Sequence, residues 1–212
     1  MAVELGYYGL CIEDLCDSTT AQKLTSSNPI KIWSRKTLGG TINQVREAIG
    51  RHRRSYHLIS ILAKEPNLAK WAVRDQRVDS ILVPLQSVGK VIDSTMAKMV
   101  AVHRKALEIR LQEILSAIAS RKMFLLRGLQ KAIRRVQQRS SLIIVGSGAS
   151  KQFHLRAPRD VAALLIVIGL DYPDALGTIS NTPLTILQEN EQRLSPDFIV
   201  PGVTVSQSQE GR

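Results

Sequence analysis

Ser141-Leu-Ile-Ile-Val-Gly-Ser-Gly-Ala-Ser-Lys-Gln-Phe-His-Leu-Arg-Ala-Pro-Arg-Asp160 compresses a strand, a loop and a helix start into one run. Its four apolar residues, Leu142 to Val145, predict a short buried strand. Gly146-Ser147-Gly148-Ala149-Ser150 follows, where small side chains let an anion approach backbone N–H groups. Lys151, His154, Arg156 and Arg159 come next, and Pro158 suits the first turn of a helix. The combination predicts a phosphate site built from Ser147, Gly148, Ser150, Lys151, Arg156 and Arg159. The pattern alone leaves open whether that phosphate belongs to a small substrate or to an RNA backbone.

Upstream, the same alternation repeats. Strands are predicted over residues 7–13, 30–33 (with Arg35 and Lys36 at the exit), 57–62, 78–83 and 106–111. Helices are predicted over 41–52, where Ile42, Val45 and Ile49 recur at helical spacing, from an Asn67 cap to Arg74, over 96–104 and over 121–138. Six strands separated by helices predict a parallel sheet. No G-x-G-x-x-G follows the first strand, which favours a barrel of the TIM type over a doubly wound sheet. Residues 1–6 read as the last turn of a helix ended by a C-cap glycine. The expected architecture is therefore α/β, an irregular TIM-like (β/α) barrel whose first strand is missing from this chain. Residues 171–179 and 181–194 predict two short helices, each with a polar cap candidate and an early proline. On this reading residues 1–194 form one domain, and 195–212 form a tail with a frayed polar end.

The 212 residues carry 29 Lys and Arg against 18 Asp and Glu, a net charge of +11. The excess is concentrated: residues 31–159 hold 26 basic and 7 acidic side chains, and the flanks hold 3 and 11. A basic block interleaved with apolar periodicity is a folded surface. It points to a polyanion partner, with a merely solvated basic enzyme surface as the alternative. Aromatics make up only 4% of the chain, which suits an aliphatic core better than an aromatic-stacking binder of single strands. Cys11 and Cys16 have no second Cys or His pair nearby, so they are expected to be buried thiols and not zinc ligands. No apolar run approaches the roughly 18 residues of a membrane span, and Glu4 falls where a signal peptide would be basic. No membrane partner and a cytoplasmic location are expected.

Residues 121–138 contain Arg121, Lys122, Arg127, Lys131, Arg134 and Arg135 and no acid. Met123, Leu126, Leu129, Ile133 and Val136 are the predicted buried stripe; Arg127, Lys131, Arg134 and Arg135 share an outer face. Like charges at these spacings cost a helix a few tenths of a kcal/mol per pair, and phosphate is the natural compensation. Arg51, Arg53 and Arg54 read as cations favoured at a helix C-terminus. Arg74, Asp75, Arg77 and Asp79 read as internal salt bridges. His52, His57, His103 and His154 show no metal-ligand spacing, and no nucleophile elbow occurs. Glu108, with Arg110 two residues on, reads as an internal ion pair in preference to a catalytic acid. No catalytic or metal-binding residue is expected, and the rival reading is a TIM-barrel enzyme acting on a small phosphorylated substrate at the 146–159 loop.

Several segments resemble one family: Ala72-Val-Arg-Asp-Gln-Arg-Val-Asp79 with Pro84, Ala106-Leu-Glu-Ile109, Ser147-Gly-Ala-Ser150 and Leu155-Arg-Ala-Pro-Arg-Asp160. Ile168-Gly-Leu-Asp-Tyr172, Leu194-Ser-Pro-Asp-Phe198 and Pro201-Gly202 extend the likeness. The family is that of ribonuclease P protein component 3, the archaeal branch of the thirty-kilodalton ribonuclease P subunits of eukaryotes and archaea. The resemblance implies an irregular TIM-like barrel with a non-catalytic role beside a catalytic RNA that removes the 5′ leader of precursor tRNA. It implies ribonuclease P RNA, ribonuclease P protein component 2 and the other protein subunits as partners, with precursor tRNA met indirectly. It implies no cofactor bound by the protein, Mg²⁺ being used by the RNA. Arg156 and Arg159 match the family's basic motif directly, and Arg104 and Lys105 correspond more loosely to a basic patch.

Overall fold

The computed structural model describes residues 1–139, 142–200 and 203–204. Six parallel strands form one sheet in the order β1-β2-β3-β4-β5-β6: Gly9–Glu13, Lys31–Leu38, Leu58–Leu62, Ser80–Leu82, Ala106–Arg110 and Leu142–Gly146. Strictly sequential order is the winding of a TIM-like barrel; a doubly wound sheet reverses direction at its switch point. The strands curl into a half-barrel that is open between β1 and β6 among the described residues. Ser141, the first residue of the stretch quoted above, and the expected frayed end at 205–212 lie outside the described residues.

Helices cover the convex face. They are α1 (Ser18–Ser26), α2 (Ile42–His52), α3 (Pro66–Arg74), α4 (Val88–Val91), α5 (Ser94–Val102), α6 (Gln112–Leu115), α7 (Ala119–Gln137) and α8 (Pro158–Ile168). Two more follow, α9 (Tyr172–Gly177) and α10 (Asn181–Leu194), and then a small antiparallel pair, β7 (Phe198–Val200) and β8 (Val203–Thr204). On the convex side, Ile59, Ile61, Ile81, Leu107 and Ile109 pack against Ile49, Val73, Met96, Leu129 and Leu165 of the helices. Each such side chain contributes about 1.5–3 kcal/mol by leaving water. On the concave side, Trp33 and Leu58 meet Leu187 of α10. The Trp33 ring lies so close over β1 that a Cβ at Gly9 would come within 2.2 Å of it; only glycine fits there.

Local chemistry explains most boundaries. Thr41 and Gln44 make a reciprocal capping box at the start of α2. Pro158 occupies the first turn of α8, as its sequence predicts. Residues 1–6 form a turn in which Tyr7 N–H reaches Ala2 C=O and Gly6 N–H reaches Val3 C=O, the Schellman pattern of a helix end.

Several expectations are corrected. β2 continues to Leu38, so Arg35 and Lys36 lie within the strand and not at its exit. α3 starts with Pro66 in its first turn and has no side-chain cap, so Asn67 lies inside the helix. Likewise Asn181 falls within α10, whose N-cap position is Ser180. α1 escapes the periodicity argument because its one fully buried residue is Ala21; the signal that marks it is Asp17, which accepts from Thr20 N–H. Cys16, just before that cap, is exposed and not buried, and Cys11 is half-buried.

Candidate nucleic-acid interface and the lumen beneath it

The 146–159 loop leaves the C-terminal end of β6 and climbs into α8. Gly148 adopts φ +61, and a Cβ there would come within 3.0 Å of Arg110 Cβ, so the glycine permits both the turn and the close approach. The loop is tied into the sheet by Gln112 N–H donating to Ser147 C=O (3.0 Å). Ala149 N–H is turned back onto Ser147 Oγ at 3.3 Å, so one of the expected backbone donors is already engaged. A short 3₁₀ turn, Gln152–His154, carries the crest of the loop. Arg156 Nη1 donates to the carbonyls of Phe153 (2.9 Å) and Leu155 (3.0 Å), and Arg156 C=O accepts from Tyr7 Oη at 2.6 Å. Ser150, Lys151, Arg156 and Arg159 are exposed; Ser147 and Gly148 are half-buried.

The other basic residues singled out in the sequence lie elsewhere. Arg104 and Lys105 precede β5, at the opposite end of the strands from the loop. Lys105 Nζ donates to Val78 C=O at 2.5 Å, and burial lowers its pKa below the ordinary lysine range. It braces the sheet. On α7, Arg127, Lys131 and Arg134 are exposed along the outside of the molecule. Arg135 instead turns inward and donates to Ile92 C=O at 2.7 Å, closing the end of α4. The buried stripe of α7 runs through Leu125, Leu129, Ala132, Ile133 and Val136. Met123 and Phe124 are 54% and 66% exposed, because the stripe steps back four residues from Leu129 to Leu125. Arg53 is more than a dipole cation: it pairs with Asp79 (2.7 Å) and donates to Asn190 Oδ1 (2.8 Å). Arg77 pairs with Asp75 at 2.7 Å, as the alternating charges predict.

The site missed by sequence reasoning is the lumen. Three strands, β1, β2 and β5, send charged groups into the concave side, and β3 and β4 add serine hydroxyls. Glu108, 1% exposed, lies 2.7 Å from Arg35 Nη1 and accepts from the Ser60 hydroxyl (2.5 Å) and the Ser80 hydroxyl (3.0 Å). With their protons directed to Glu108, the Ser60 and Ser80 hydroxyl oxygens are also in contact with each other. Glu13 accepts from Arg110 Nη2 (2.6 Å), from Thr37 N–H (2.7 Å) and from the Thr37 hydroxyl (2.7 Å). Arg35 Nε approaches Glu13 at 3.2 Å without hydrogen-bond geometry. Burial alone would raise the Glu108 carboxyl, but the Arg35 charge and hydrogen bond, Ser60 and Arg110 outweigh it and hold it below the ordinary carboxylate range. Burial pushes the neighbouring Cys11 thiol up to about 12. The expected Glu108–Arg110 pair is present but long, at 3.8 Å; Arg35 is the main partner. The one clue in the sequence was a carboxylate flanked by Leu107 and Ile109 in a strand buried on both faces.

Beside this network a cavity of about 870 Å³ opens between β1, β6 and α10, walled by Tyr7, Cys11, Trp33, Leu58, Leu184 and the 146–151 loop. Its two arginines are already matched by two glutamates, so it presents no surplus of positive charge from the strands. Among the described residues no group of three or more His, Cys, Asp or Glu is disposed to hold a metal ion. No helix is long and apolar enough to cross a membrane among the described residues.

Against known proteins, the chain matches the family model described as RNase P subunit p30 over residues 1–195. It is 24% identical to ribonuclease P protein component 3 of Methanosarcina barkeri, over 97% of this chain and 86% of that one. It is 29% identical to ribonuclease P protein component 3 of Halobacterium salinarum, over 74% of this chain and 67% of that one. The fold superimposes on a chain of a cryo-EM structure of archaeal ribonuclease P with mature tRNA with a TM-score of 0.84 at 18% identity, covering 99% of this chain and 93% of the other. By a match that runs from the first turn to the end of α10, this chain belongs to the RNase P subunit p30 family.

Proposed function

We propose that this chain is an RNA-binding protein subunit of ribonuclease P that assists a catalytic RNA in removing the 5′ leader of precursor tRNA. The observation that carries the reading is the family match over residues 1–195. The charge distribution supports it: no Asp or Glu occurs between Glu113 and Asp160, and the cations of that span at Arg127, Lys131, Arg134, Lys151, Arg156 and Arg159 are exposed. Exposed, unpaired cations are what a phosphate backbone recruits. The protein's own role is structural and not catalytic: the lumen carboxylates are each held by an arginine, and a carboxylate so held is a poor general base. Mg²⁺ is then the RNA's requirement. Ribonuclease P protein component 2 and the other protein subunits are the protein partners, precursor tRNA is met indirectly, and the cytoplasm is the place of action.

The rival, a barrel enzyme with a small phosphorylated substrate, is disfavoured by the paired arginines of the cavity. The test is reconstitution of precursor-tRNA cleavage with and without the full chain, comparing wild type with Arg156→Ala. Cleavage at moderate Mg²⁺ should depend on the chain, and its affinity for ribonuclease P RNA should fall steeply from low to moderate salt. A flat salt dependence, or turnover of a small phosphate ester by the chain alone, would reverse the assignment.

A further inference from the structure

Phe153 is 75% exposed, the most exposed aromatic side chain among the described residues. It stands at the crest of the 3₁₀ turn Gln152–His154, and that turn is held rigid from several sides. His154 N–H donates to Lys151 C=O (3.0 Å) and Leu155 N–H to Gln152 C=O (3.2 Å). Ser150 Oγ and His154 Nδ1 lie 3.3 Å apart, and Arg156 Nη1 grips the Phe153 carbonyl at 2.9 Å. The ring is therefore presented by a braced backbone, in a loop that could have carried any polar residue at no packing cost. Around it in sequence are Lys151, Arg156 and Arg159, all exposed and free of ion pairs among the described residues. Anchoring through Nη1 leaves the remaining nitrogens of Arg156 without a described partner.

An exposed ring bracketed by uncompensated cations matches the two demands of an unpaired nucleotide: a flat apolar face for the base and positive charge for its phosphates. We propose that Phe153 is a stacking platform for one unpaired base of the bound RNA, with Lys151, Arg156 and Arg159 meeting the flanking phosphates. The proposal rests on the RNA-binding reading above and sharpens it from a charged surface to a contact with a single-stranded or bulged nucleotide. A protein pocket is the other home for the ring, but the stretch from Glu113 to Asp160, free of acid, favours a polyanion over a neutral or basic surface.

The test uses the full chain and in vitro-transcribed ribonuclease P RNA, with Phe153→Ala, Phe153→Leu and Phe153→Trp. Stacking predicts that the Ala and Leu variants lose about tenfold in affinity at fixed salt, with the salt slope unchanged because no phosphate contact is removed. The Trp variant should bind as wild type, and its additional fluorescence, measured against the wild-type signal of Trp33 and Trp71, should be quenched by RNA. Wild-type affinity in Phe153→Leu, or an unquenched Trp with RNA bound, would overturn the stacking assignment while leaving the RNA reading intact. Loss of partner-protein capture with RNA affinity retained would overturn it in favour of a protein contact. Failure of the wild-type chain to bind the RNA would instead bring down the RNA reading, and the stacking proposal with it.

Discussion

Glu108 and Arg134 are both charged side chains on regular secondary structure, yet their surroundings are opposite. Glu108 is 1% exposed and engages Arg35, Ser60 and Ser80 in a lumen where two glutamates face two arginines. Arg134 lies on the outer face of α7 among Arg127 and Lys131, with no acid on the helix. Inside, charge is neutralised within the chain and serves cohesion. Outside, charge is left uncompensated, which is tolerable in water and useful only to a partner that brings the opposite sign. Composition cannot separate the two, since a net charge sums buried and exposed side chains alike.

The sharpest way to break the contrast is to strip one partner from the lumen. Glu108→Ala leaves the Arg35 guanidinium buried without its main counter-ion and should cost about 3–5 kcal/mol in denaturant unfolding. The double variant Glu108→Leu with Arg35→Met should cost clearly less than Glu108→Ala alone; an equal or larger loss would mean that hydrogen bonding, not charge balance, dominates there. Acid should reveal the same site. The folded Glu108 carboxyl titrates below its unfolded value of about 4.3, so its contribution is complete above that pH and drains away as pH falls through the folded value. Glu108→Gln should therefore flatten the acid limb of the stability profile.

Outside, the expectation inverts. Neutralising Arg127, Lys131 and Arg134 together should leave stability within about 0.5 kcal/mol. Affinity for ribonuclease P RNA should drop, with the salt slope falling by about 1 per phosphate contact removed. An unchanged slope would make that face a solvated surface only. Adjacent residues sharpen the point: Arg135→Ala should destabilise by about 1–3 kcal/mol by orphaning the Ile92 carbonyl, and Arg134→Ala should not. Among the substitutions expected to destabilise, Thr41→Ala should cost least, about 1 kcal/mol, by removing the α2 capping box.

The strand–helix alternation, the Pro158 helix start and the small-residue loop were legible because each is written in consecutive residues. The lumen was not, because Glu13, Arg35, Ser60, Ser80 and Glu108 come from five different strands and meet only when the sheet curls. Arg134 and Arg135 show the same limit at finer grain: on a helix, one residue of offset is about 100° of rotation, enough to turn a surface cation into a brace. Phe153 was hidden by a composition argument, since a low aromatic count says nothing about where one ring stands.

The pairing of Ser60 with Ser80 and of Leu82 with Glu108 along neighbouring strands has a consequence for how the sheet finds its alignment. Because side chains alternate faces, sliding β5 by one residue would drive Glu108 into the helix-covered aliphatic layer and bring Leu107 or Ile109 into the polar lumen. The aliphatic residues flanking Glu108 are so alike that greasy contacts alone would tolerate such a slip. The carboxylate at the middle of β5 acts as a key that fits one lock, so that misaligned sheets are rejected during assembly.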